Sequence, residues 1–580
     1  MAFEAFPSSR LPGPLASAVN HFLQIDQLED LYARTRAKDG FVRRLLDDLQ
    51  VRVNVTESDC AKIPRSGPVV AVSNHPFGIL DGVMLADLLT RARPDIRILT
   101  NQLLGDLPEL ARMCIFIDPF DRYESRIANG RALKQAVKHL RGGGMLLIFP
   151  AGEVSHFDLK KRAICDPEWN VTAARLIRIA RAKSLPILIR GANGIPFQVL
   201  GIVHPRLRTA ALPAEILNKR GKSVEIRIGG MIEPSRIEAL PDDAAATRYL
   251  RLHTELLEGR GETGVVLRND TRPVAAETAV ELIANEIAAL PADCLIEDTR
   301  EFAVYLAEAR LILSALQEIG RLREITFRAA GEGTGELKDL DQFDPYYLHL
   351  FLWNKEKREI AGGYRMGEVP RILARFGTKG LYTDSLFRFN ADFFTNLGPS
   401  LELGRSFIRP EYQRAYAPLL MLWKGIAGFV ARHPEYSTLI GAVSVSNQYS
   451  PASRELIARY FEKRNTGGAV RARRPLRGKL VQKWETAALC SLLPDVEDLS
   501  APIADLEPDG KGIPILVRQY VKLGGKMLAF SVDPQFGNTL DGFVMVDLTR
   551  TSPETLARYM GKEQAKRFFA WHRTSHPRVA

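Results

Sequence analysis

Residues 65–235 alternate short apolar runs with amphipathic segments. Four of the runs have the length of buried strands: residues 68–73, 96–99, 145–149 and 186–189. Residues 224–228 alternate apolar and polar side chains, which is typical of a half-buried strand. Between the runs, apolar residues at helical spacing predict a helix over 131–141, and the glycines at 142–144 end it. Strands that alternate with helices predict an α/β domain.

A second set of elements follows a glycine-rich break at residues 258–264, with Arg272-Pro273 soon after it. The pattern beyond it predicts a helix over 303–323, a hairpin of 349–353 and 359–366, a strand over 400–408, a helix over 415–432 and a strand over 437–445. Residues 512–547 are expected to add one or two strands. These elements predict a second α/β domain.

The first sixty residues carry an amphipathic helical pattern. Phe22, Ile25, Leu28 and Leu31 recur every three residues. This face either packs on the domain behind it or lies against a membrane. We expect four segments along the chain: a helical segment over 1–60, a first domain over 61–258, a linker over 259–275 and a second domain over 276–580.

Composition places the chain among folded proteins and narrows its partners. Of its 580 residues, 46% are hydrophobic and 25% are charged, which excludes long disorder. The net charge of +11 favours an acidic partner such as anionic lipid, nucleic acid or an acidic carrier protein. Five separated cysteines argue against a disulfide framework or a zinc site and suit a reducing cytosol. No apolar stretch is long enough to predict a membrane span, whereas binding at a membrane surface stays open.

Polar residues with catalytic potential follow two of the predicted strands. Asn74, His75 and Asp81 follow one strand, and residues 149–155, Phe-Pro-Ala-Gly-Glu-Val-Ser, follow another. Because α/β sheets bind ligands at the carboxyl ends of their strands, we expect both groups at such an edge. A carboxylate that orients the imidazole would make His75 a general base, although a single histidine is more often structural. The absence of a serine or cysteine elbow motif favours direct attack by a substrate hydroxyl.

These blocks resemble those of the glycerolipid acyltransferases, the relatives of 1-acylglycerol-3-phosphate acyltransferase. The resemblance covers residues 65–235 and includes the apolar strand at 185–189. It implies transfer of an acyl group from a thioester to a lipid hydroxyl, with His75 as the base and Asp81 as its orienting carboxylate. The substrate-binding residues that it implies are Asn74, Phe149, Pro150, Gly152 and Glu153.

Several positions depart from the family's pattern. The spacing between histidine and aspartate is one residue longer, and Ala151 stands where the family has glutamate, with Glu153 two places later. Val154 and Pro119 stand where we expect the arginines that serve a glycerol phosphate in the family. The loss of both predicts an acceptor lipid without phosphate. Other basic residues could replace them, namely Arg122, Arg126, Lys160, Lys161 and Arg162.

The second domain carries Glu402 and Arg405 on a strand of alternating charge. An isolated pair of this kind is usually a structural salt bridge. Its context favours chemistry, because three further motifs accompany it, at residues 320–327, 340–344 and 441–447. In this order the motifs resemble the ornithine–acyl carrier protein N-acyltransferases, a branch of the N-acetyltransferase-like fold related to autoinducer synthases. The resemblance covers most of residues 295–465.

This second resemblance implies aminolysis of a thioester. Glu402 would be the base or relay, and Arg405 would orient it or bind a substrate carboxylate. The turn at 409–414, which ends in Arg414 as a further substrate-binding candidate, has no glycine. Coenzyme A-dependent members of the fold carry a glycine-rich turn that binds pyrophosphate, so the departure fits a carrier-protein donor. Residues 512–547 resemble a hemolysin-like segment of the same group and are predicted to complete the domain.

Together the resemblances imply a bifunctional synthase of a phosphate-free aminolipid, ornithine lipid or a similar compound. The C-terminal domain would N-acylate an amino acid with a 3-hydroxyacyl chain, and the N-terminal domain would O-acylate the 3-hydroxyl of the resulting lyso-aminolipid. Two alternatives stay open. One is a phospholipid acyltransferase with an inactive or divergent second domain, and the other is a non-enzymatic membrane-binding protein.

No bound cofactor is expected, because the donor is acyl carrier protein with its phosphopantetheine thioester. We expect a cytoplasmic protein, peripheral on the inner face of the cytoplasmic membrane. Nucleic acid is not an expected partner, because few aromatic residues interleave the basic ones. Residues 471–483 could bind either acidic carrier protein or anionic membrane, or could form a solvated loop. The basic residues there are Arg471, Arg473, Arg474, Arg477, Lys479 and Lys483.

Overall fold

The chain forms two compact units. The computed structural model describes residues 25–36, 40–101, 111–117, 123–261, 272–465, 467–477 and 492–575. The first unit consists of residues 1–260 with the short segment 504–508, and the second of residues 261–503 and 509–580. Within the described ranges, no helix has both the length and the apolar character that crossing a bilayer requires.

A largely parallel sheet forms the centre of the first unit. The strands of this unit are β1 (Arg52–Asn54), β2 (Val69–Ser73), β3 (Arg97–Asn101), β4 (Cys114–Ile117), β5 (Met145–Ile148), β6 (His156–Asp158), β7 (Ala163–Cys165), β8 (Lys183–Ile189) and β9 (Ser223–Ile228). Seven of them form one sheet in the order β1–β9–β8–β2–β5–β3–β4, and β6 and β7 form a separate hairpin. Only the β8–β9 pair in this sheet is antiparallel. The carboxyl ends of β2 and β5 therefore lie side by side.

Helices pack on this sheet and bury its apolar runs. They are α1 (Ile25–Arg36), α2 (Phe41–Asp48), α3 (Glu57–Cys60), α4 (Ile79–Thr90), α5 (Tyr123–Arg141), α6 (Thr172–Ala180), α7 (Ile195–Val203), α8 (Pro205–Leu217), α9 (Pro234–Glu238) and α10 (Asp243–Leu256). Every residue of β2 is buried, as expected of a strand covered on both faces. Leu31 of α1 is buried in the same core, so this residue of the predicted amphipathic face packs on the domain. Phe22 lies outside the described residues.

The second unit is built on a largely antiparallel sheet. Its strands are β10 (Leu295–Asp298), β11 (Phe302–Glu308), β12 (Leu348–Asn354), β13 (Glu359–Glu368), β14 (Phe387–Phe389), β15 (Ser400–Ile408), β16 (Thr438–Val445), β17 (Val470–Ala472), β18 (Lys526–Asp533) and β19 (Thr539–Asp547). Eight of these strands form one sheet in the order β10–β11–β12–β13–β15–β16–β19–β18. Within it the β15–β16 pair is parallel, and the other neighbours are antiparallel.

The helices of this part of the chain are α11 (Val280–Ala288), α12 (Leu313–Ala329), α13 (Val369–Phe376), α14 (Phe393–Leu397), α15 (Tyr416–Arg432), α16 (Pro451–Glu462), α17 (Val496–Leu506), α18 (Ile515–Lys522), α19 (Pro553–Met560) and α20 (Lys562–Ser575). The predicted helix over 303–323 is wrong in its first half. Residues 302–308 form β11, which pairs along its whole length with β12, and the helix begins only at Leu313. Residues 512–547 add two strands, β18 and β19, as expected, and most of residues 512–520 lies in α18.

Candidate active sites

His75 and Asp81 lie where β2 ends and α4 begins. His75 Nδ1 lies 2.9 Å from Asp81 Oδ2. The same oxygen accepts the backbone N–H groups of Phe77 and Gly78, each at 2.9 Å. Asp81 is fully buried, whereas 18% of the His75 side chain is exposed. Because Asp81 occupies Nδ1, the ring nitrogen that remains for a substrate hydroxyl is Nε2.

Burial and the imidazole of His75 shift the pKa of the Asp81 carboxyl in opposite directions. Burial raises the pKa of Asp81 above its ordinary value, and the hydrogen bond to His75 lowers it. Asp81 Oδ1 is buried and accepts no hydrogen bond from the described residues. A positive charge on His75 would compensate this carboxylate, which is the state that a general base reaches after it takes a proton. The His75 ring also stacks on Phe149, with ring centroids 4.4 Å apart.

Asn74 bonds to the neighbouring strand. Its Nδ2 donates to the carbonyl oxygen of Ile189 at 2.8 Å, and its Oδ1 accepts the N–H of Ile189 at 2.7 Å. Both polar groups of the Asn74 side chain are thereby engaged by β8. Substrate binding by Asn74 stays a prediction. In the structure the side chain holds the segment that carries His75 against the sheet.

The loop after β5 joins the His75 segment through backbone contacts and one buried carboxylate. The Ser155 N–H donates to the carbonyl oxygen of His75 at 2.8 Å. Asp166 accepts the N–H of His75 at 3.2 Å, the hydroxyl of Ser155 and the indole N–H of Trp169. The two sequence motifs thus meet at the sheet edge. Asp166 was not predicted, because no motif marks it, and it becomes part of the site only through folding.

Glu153, Pro150 and Gly152 shape the rest of this loop. Gly152 has a φ of +68°, a left-handed conformation that favours glycine, and its N–H closes a turn. The carbonyl oxygen of Pro150 accepts the side-chain amide of Asn170 at 2.6 Å. The Glu153 carboxylate pairs with Arg208 at 2.7 Å and is 61% exposed. Glu153 therefore turns outward, and Phe149 is the residue of this loop whose ring lies against His75.

Position 154, where the resembled family carries an arginine, is apolar in its surroundings as well as in its side chain. Val154 is buried in a small cluster with Phe197 and Ala211. Among the possible replacements for the phosphate-binding arginines, residues 160–162 are exposed on the turn between β6 and β7. Pro119 and Arg122 lie outside the described residues, as does the side chain of Arg126.

In the second unit, β15 and β16 start as a parallel pair and then separate. Their ladder runs from Ser400 opposite Thr438 to Leu403 opposite Gly441. A Cβ at position 441 would overlap the carbonyl oxygen of Leu403, so the close approach there requires glycine. Beyond this point the two strands line opposite sides of a cavity of about 50 Å³. We call this cavity the strand cleft. Its lining includes Arg405, Ser406, Ser444, Tyr382 and Asp541.

A β-bulge directs Arg405 toward a cluster of charges. On β13, Tyr364 alone lies opposite Arg405 and Ser406, and Arg405 has a φ of +49°. The Arg405 guanidinium pairs with Asp339 at 2.9 Å and with Asp341 at 3.4 Å. The hypothesis that Arg405 orients Glu402 is therefore wrong. Its charge is directed to Asp341 of the 340–344 motif and to Asp339 just before it, which the fold brings to this strand.

The same motif is fixed from its other side by buried arginines. Asp344 pairs with Arg323 at 2.8 Å and with Arg365 at 3.3 Å. After the cost of burial, these two guanidinium groups hold the pKa of the Asp344 carboxyl well below its usual range. The burial of His349 beside Arg323 lowers its pKa to about 4, so it is neutral at physiological pH. The fold thus brings residues of the segments 320–327 and 340–344 together and places Asp341 beside Arg405 of β15.

Glu402 adjoins this network through Tyr347 and Tyr382, whose rings lie against the Arg365 guanidinium, and it is fully enclosed. Its carboxylate accepts the Tyr347 hydroxyl, the N–H of Tyr382 at 3.1 Å, and both the N–H and the hydroxyl of Thr383. Only 1% of the residue is exposed. Four donors fill both oxygens, so Glu402 anchors the turn at residues 382–385. Its role as a base stays a prediction.

We expect Glu402→Gln to destabilise the second unit by about 1–3 kcal/mol, because the new NH₂ group would face hydrogen-bond donors inside the protein. Urea unfolding followed by tryptophan fluorescence measures the loss. Glu359→Gln is the matched control. Glu359 accepts a tyrosine hydroxyl, as Glu402 does, and in addition pairs with Arg409, but it lies nearer to solvent. Unchanged stability together with lost N-acyl transfer would instead assign Glu402 to the chemistry.

Two other buried carboxylates stand beside the strand cleft. Asp541 of β19 lies opposite Ser444 of β16 in the ladder and is 4% exposed. Glu332 accepts the Ser444 hydroxyl at 2.9 Å and is 5% exposed. Burial, with repulsion by Asp533 and Glu332, raises the pKa of Asp541 to about 8. Burial raises the pKa of Glu332 to about 7. Perturbed carboxyls in a cleft are candidates for acid–base work.

Asp541 belongs to a segment that the sequence predicts only to complete the domain, and no motif includes Glu332. The strand pattern of residues 540–547 was visible, but no spacing links position 541 with position 332 or 405. A signal did exist: an aspartate at an inward position of an otherwise apolar strand is unusual unless it is paired or functional. Arg414, which was predicted to bind substrate, is exposed just after the turn at Pro410–Tyr412.

Comparison with protein families matches both units. Residues 50–262 match a family described as acyltransferase, and residues 322–424 match one described as an acetyltransferase (GNAT) domain. The predicted pair of α/β folds is thereby confirmed. The boundaries of the helical segment, the two domains and the linker stay predictions.

Three curated proteins illustrate the similarity. A glycine N(alpha)-acyltransferase of Bacteroides thetaiotaomicron is 30% identical over 259 residues, which are 42% of this chain and 76% of that protein. A lyso-glycine lipid O-acyltransferase of Phocaeicola vulgatus is 26% identical over 38% of this chain and 78% of its own length. An L-ornithine N(alpha)-acyltransferase of Agrobacterium fabrum is 22% identical over 42% of this chain and 78% of its own length. Each relative covers less than half of this chain.

Proposed function

The chain belongs to the family of aminolipid-forming acyltransferases, and from that premise we propose that it makes a phosphate-free aminolipid by two successive acyl transfers. The second unit acylates the α-amine of an amino acid, and the first unit esterifies the hydroxyl of the acyl chain. The observation that carries the proposal is the presence of a separate site in each unit. One is the His75–Asp81 pair, and the other is the strand cleft.

In the N-acyl transfer, the amine nitrogen attacks the thioester carbonyl carbon, the C–N bond forms, and the C–S bond breaks. The amine must first lose a proton, because an ammonium has no free electron pair. Asp541 lines the strand cleft and is the carboxylate that we assign to accept this proton. The thiolate of the donor takes up a proton as it leaves.

In the O-acyl transfer, the hydroxyl of the mono-acylated lipid attacks a second thioester. His75 Nε2 takes the hydroxyl proton and then returns it to the leaving thiolate. Asp81 keeps the ring in the tautomer that leaves Nε2 free and stabilises the imidazolium between the two steps. The apolar surroundings of Val154 support an acceptor without phosphate, since no arginine stands at that position.

Acyl carrier protein is the donor that we propose for the N-acyl transfer. The loop between β15 and α15 has no glycine with which to bind a pyrophosphate, and four exposed arginines lie in β17 or follow it. They are Arg471, Arg473, Arg474 and Arg477. Arg473 is paired with Asp384 at 2.9 Å, which partly neutralises its charge. The charges of the other three arginines are therefore more available to an acidic partner. Lys479 and Lys483 lie outside the described residues.

Charge reversal of Arg471, Arg474 and Arg477 is expected to raise the KM for acyl carrier protein by at least about tenfold, because attraction to an acidic partner accelerates encounter. The assay is N-acyl transfer in detergent solution, so that no membrane contributes. Charge reversal of Lys562, Arg567 and Arg573, which are exposed on α20, is the control. An unchanged KM would place the carrier-protein surface elsewhere, and a parallel loss of vesicle binding would point to lipid.

The whole proposal is tested by expressing the chain in a bacterium that makes no aminolipid and analysing its lipids by mass spectrometry. We expect a new diacylated lipid that contains nitrogen and no phosphorus, and its fragments identify the amino acid. A change confined to phosphatidic acid would favour a phospholipid acyltransferase. An unchanged lipid profile, with the protein present and folded, would contradict both.

A further inference from the structure

Helix α7 of the first unit carries apolar side chains on its solvent-exposed side as well as on its buried side. Its residues 195–203 contain one polar side chain, Gln198, which is buried and bonded to the N–H of Phe157 at 2.8 Å. The exposed residues are apolar. Ile195, Val199, Ile202 and Val203 are 80%, 52%, 50% and 68% exposed. Their spacing of four, three and one places them on one side of the helix. We call these four residues the outer face.

The inner side of α7 is fixed to the His75 site. Phe197 is buried against Val154, which precedes Ser155, and the N–H of Ser155 bonds to the carbonyl oxygen of His75. One side of the helix therefore packs beside the segment that carries His75, and the outer face is exposed to solvent. Exposed apolar residues grouped in this way mark an interaction surface rather than ordinary surface composition.

A basic turn is attached to the same helix. Phe157 lies in β6, and the turn that follows carries Leu159, Lys160, Lys161 and Arg162. All four are exposed, and Leu159 is 67% exposed. Asp158 accepts the backbone N–H groups of Lys160 and Lys161, so the turn is held in one conformation. An apolar residue flanked by three cations is the composition that anionic lipid attracts.

We propose that the outer face of α7 and the turn at residues 159–162 form a surface that binds an anionic lipid bilayer. The proposal rests on the proposed function, because a bilayer is where a mono-acylated lipid resides and the surface is built onto the His75 segment. A bilayer accepts separate apolar side chains without matching their shape. A protein partner would need a complementary area of about 1,000 Å² or more.

Co-sedimentation of the full chain with vesicles tests the surface directly. One set of vesicles contains phosphatidylglycerol and phosphatidylcholine, and the other contains phosphatidylcholine alone. The triple variant Ile195→Ser, Val199→Ser, Val203→Ser is expected to lose at least about tenfold in vesicle affinity, because insertion depends on apolar area. The control replaces three residues of similar exposure in the second unit by serine, namely Leu282, Leu313 and Ile515. It is expected to bind as the unchanged protein does.

Charge is tested separately by Lys160→Gln with Lys161→Gln, which removes two positive charges and adds no negative one. We expect affinity for the anionic vesicles to fall by about fivefold per replaced lysine, with little change on neutral vesicles. O-acyl transfer then links the surface to the site. The serine variant should lose activity toward acceptor lipid in vesicles and keep it toward a short-chain, water-soluble acceptor.

Equal vesicle binding by the serine variant and the unchanged protein would overturn the proposal. A dimer that the serine substitutions convert to a monomer would also overturn it, since the outer face would then be an interface between copies. Vesicle binding is measured without any acyl transfer, so failure of the proposed function leaves this result readable. Near-ultraviolet circular dichroism of each variant confirms that the unit has folded.

Discussion

His75→Ala is expected to stop the second acyl transfer and to make the mono-acylated aminolipid accumulate. A general base typically contributes about 10²–10⁴-fold to the rate, and His75 is the group that would take the proton of the attacking hydroxyl. N-acyl transfer should continue, because the strand cleft belongs to the other unit. Mass spectrometry of the lipid extract measures both products, and the purified protein with supplied lyso-lipid gives the rate.

The control for this result is His156→Ala. His156 lies in β6 of the same unit, and its ring contacts the carbonyl oxygen of Val154 and not Asp81. It should keep the diacylated product. Full synthesis of the diacylated lipid by His75→Ala at an unchanged rate would remove His75 from the mechanism. Loss of both products would indicate misfolding instead, which a thermal unfolding curve would detect.

Asp541→Asn is expected to remove N-acyl transfer by about 10²–10⁴-fold, because the variant keeps the side chain's size and loses its capacity to accept a proton. In the unchanged protein the rate should rise with pH through the pKa of Asp541, about 8, since only the ionised carboxylate is a base. The residual rate of the variant should lack this rise. Asp547→Asn, on the same strand, is the control, because Asp547 caps the turn that follows β19.

Two further measurements separate chemistry from structure at Asp541. Glycine and ornithine should lose acylation equally if the carboxylate serves the α-amine, and ornithine alone should lose it if the carboxylate binds the side-chain ammonium. Stability has a predictable sign. A folded-state pKa raised above the unfolded value means that stability is lost as pH rises through about 8. The variant lacks this loss, so at pH above 8 it should melt no lower than the unchanged protein.

Local pattern predicted the strands of the first unit because each is a short apolar run between helices. The same reasoning failed at residues 302–308. That segment, Phe-Ala-Val-Tyr-Leu-Ala-Glu, mixes residues of good helix propensity with residues that favour strands, and it becomes a strand because it pairs with β12 forty or more residues later. Such pairing depends on residues outside any local window.

The catalytic candidates divide in the same way. His75 and Asp81 lie six residues apart, so a motif could reveal them before the fold was known. Asp541 and Glu332 are separated by more than two hundred residues. Their significance arises from burial next to the strand cleft, which raises the pKa of both. Burial of this kind is produced by the assembled sheet and cannot be deduced from residue types alone.

The side chain of Asn74 offers Ile189 one donor and one acceptor, as a residue of a neighbouring strand would. It therefore acts as a peptide mimic that adds one rung to the β2–β8 ladder after the backbone of β2 has turned away. These hydrogen bonds hold the segment that carries His75 rigidly against the sheet, so it loses little conformational entropy when the substrate binds. Aspartate at position 74 would keep the size of the side chain but lose its N–H donor, so only the hydrogen bond from the Ile189 N–H would remain.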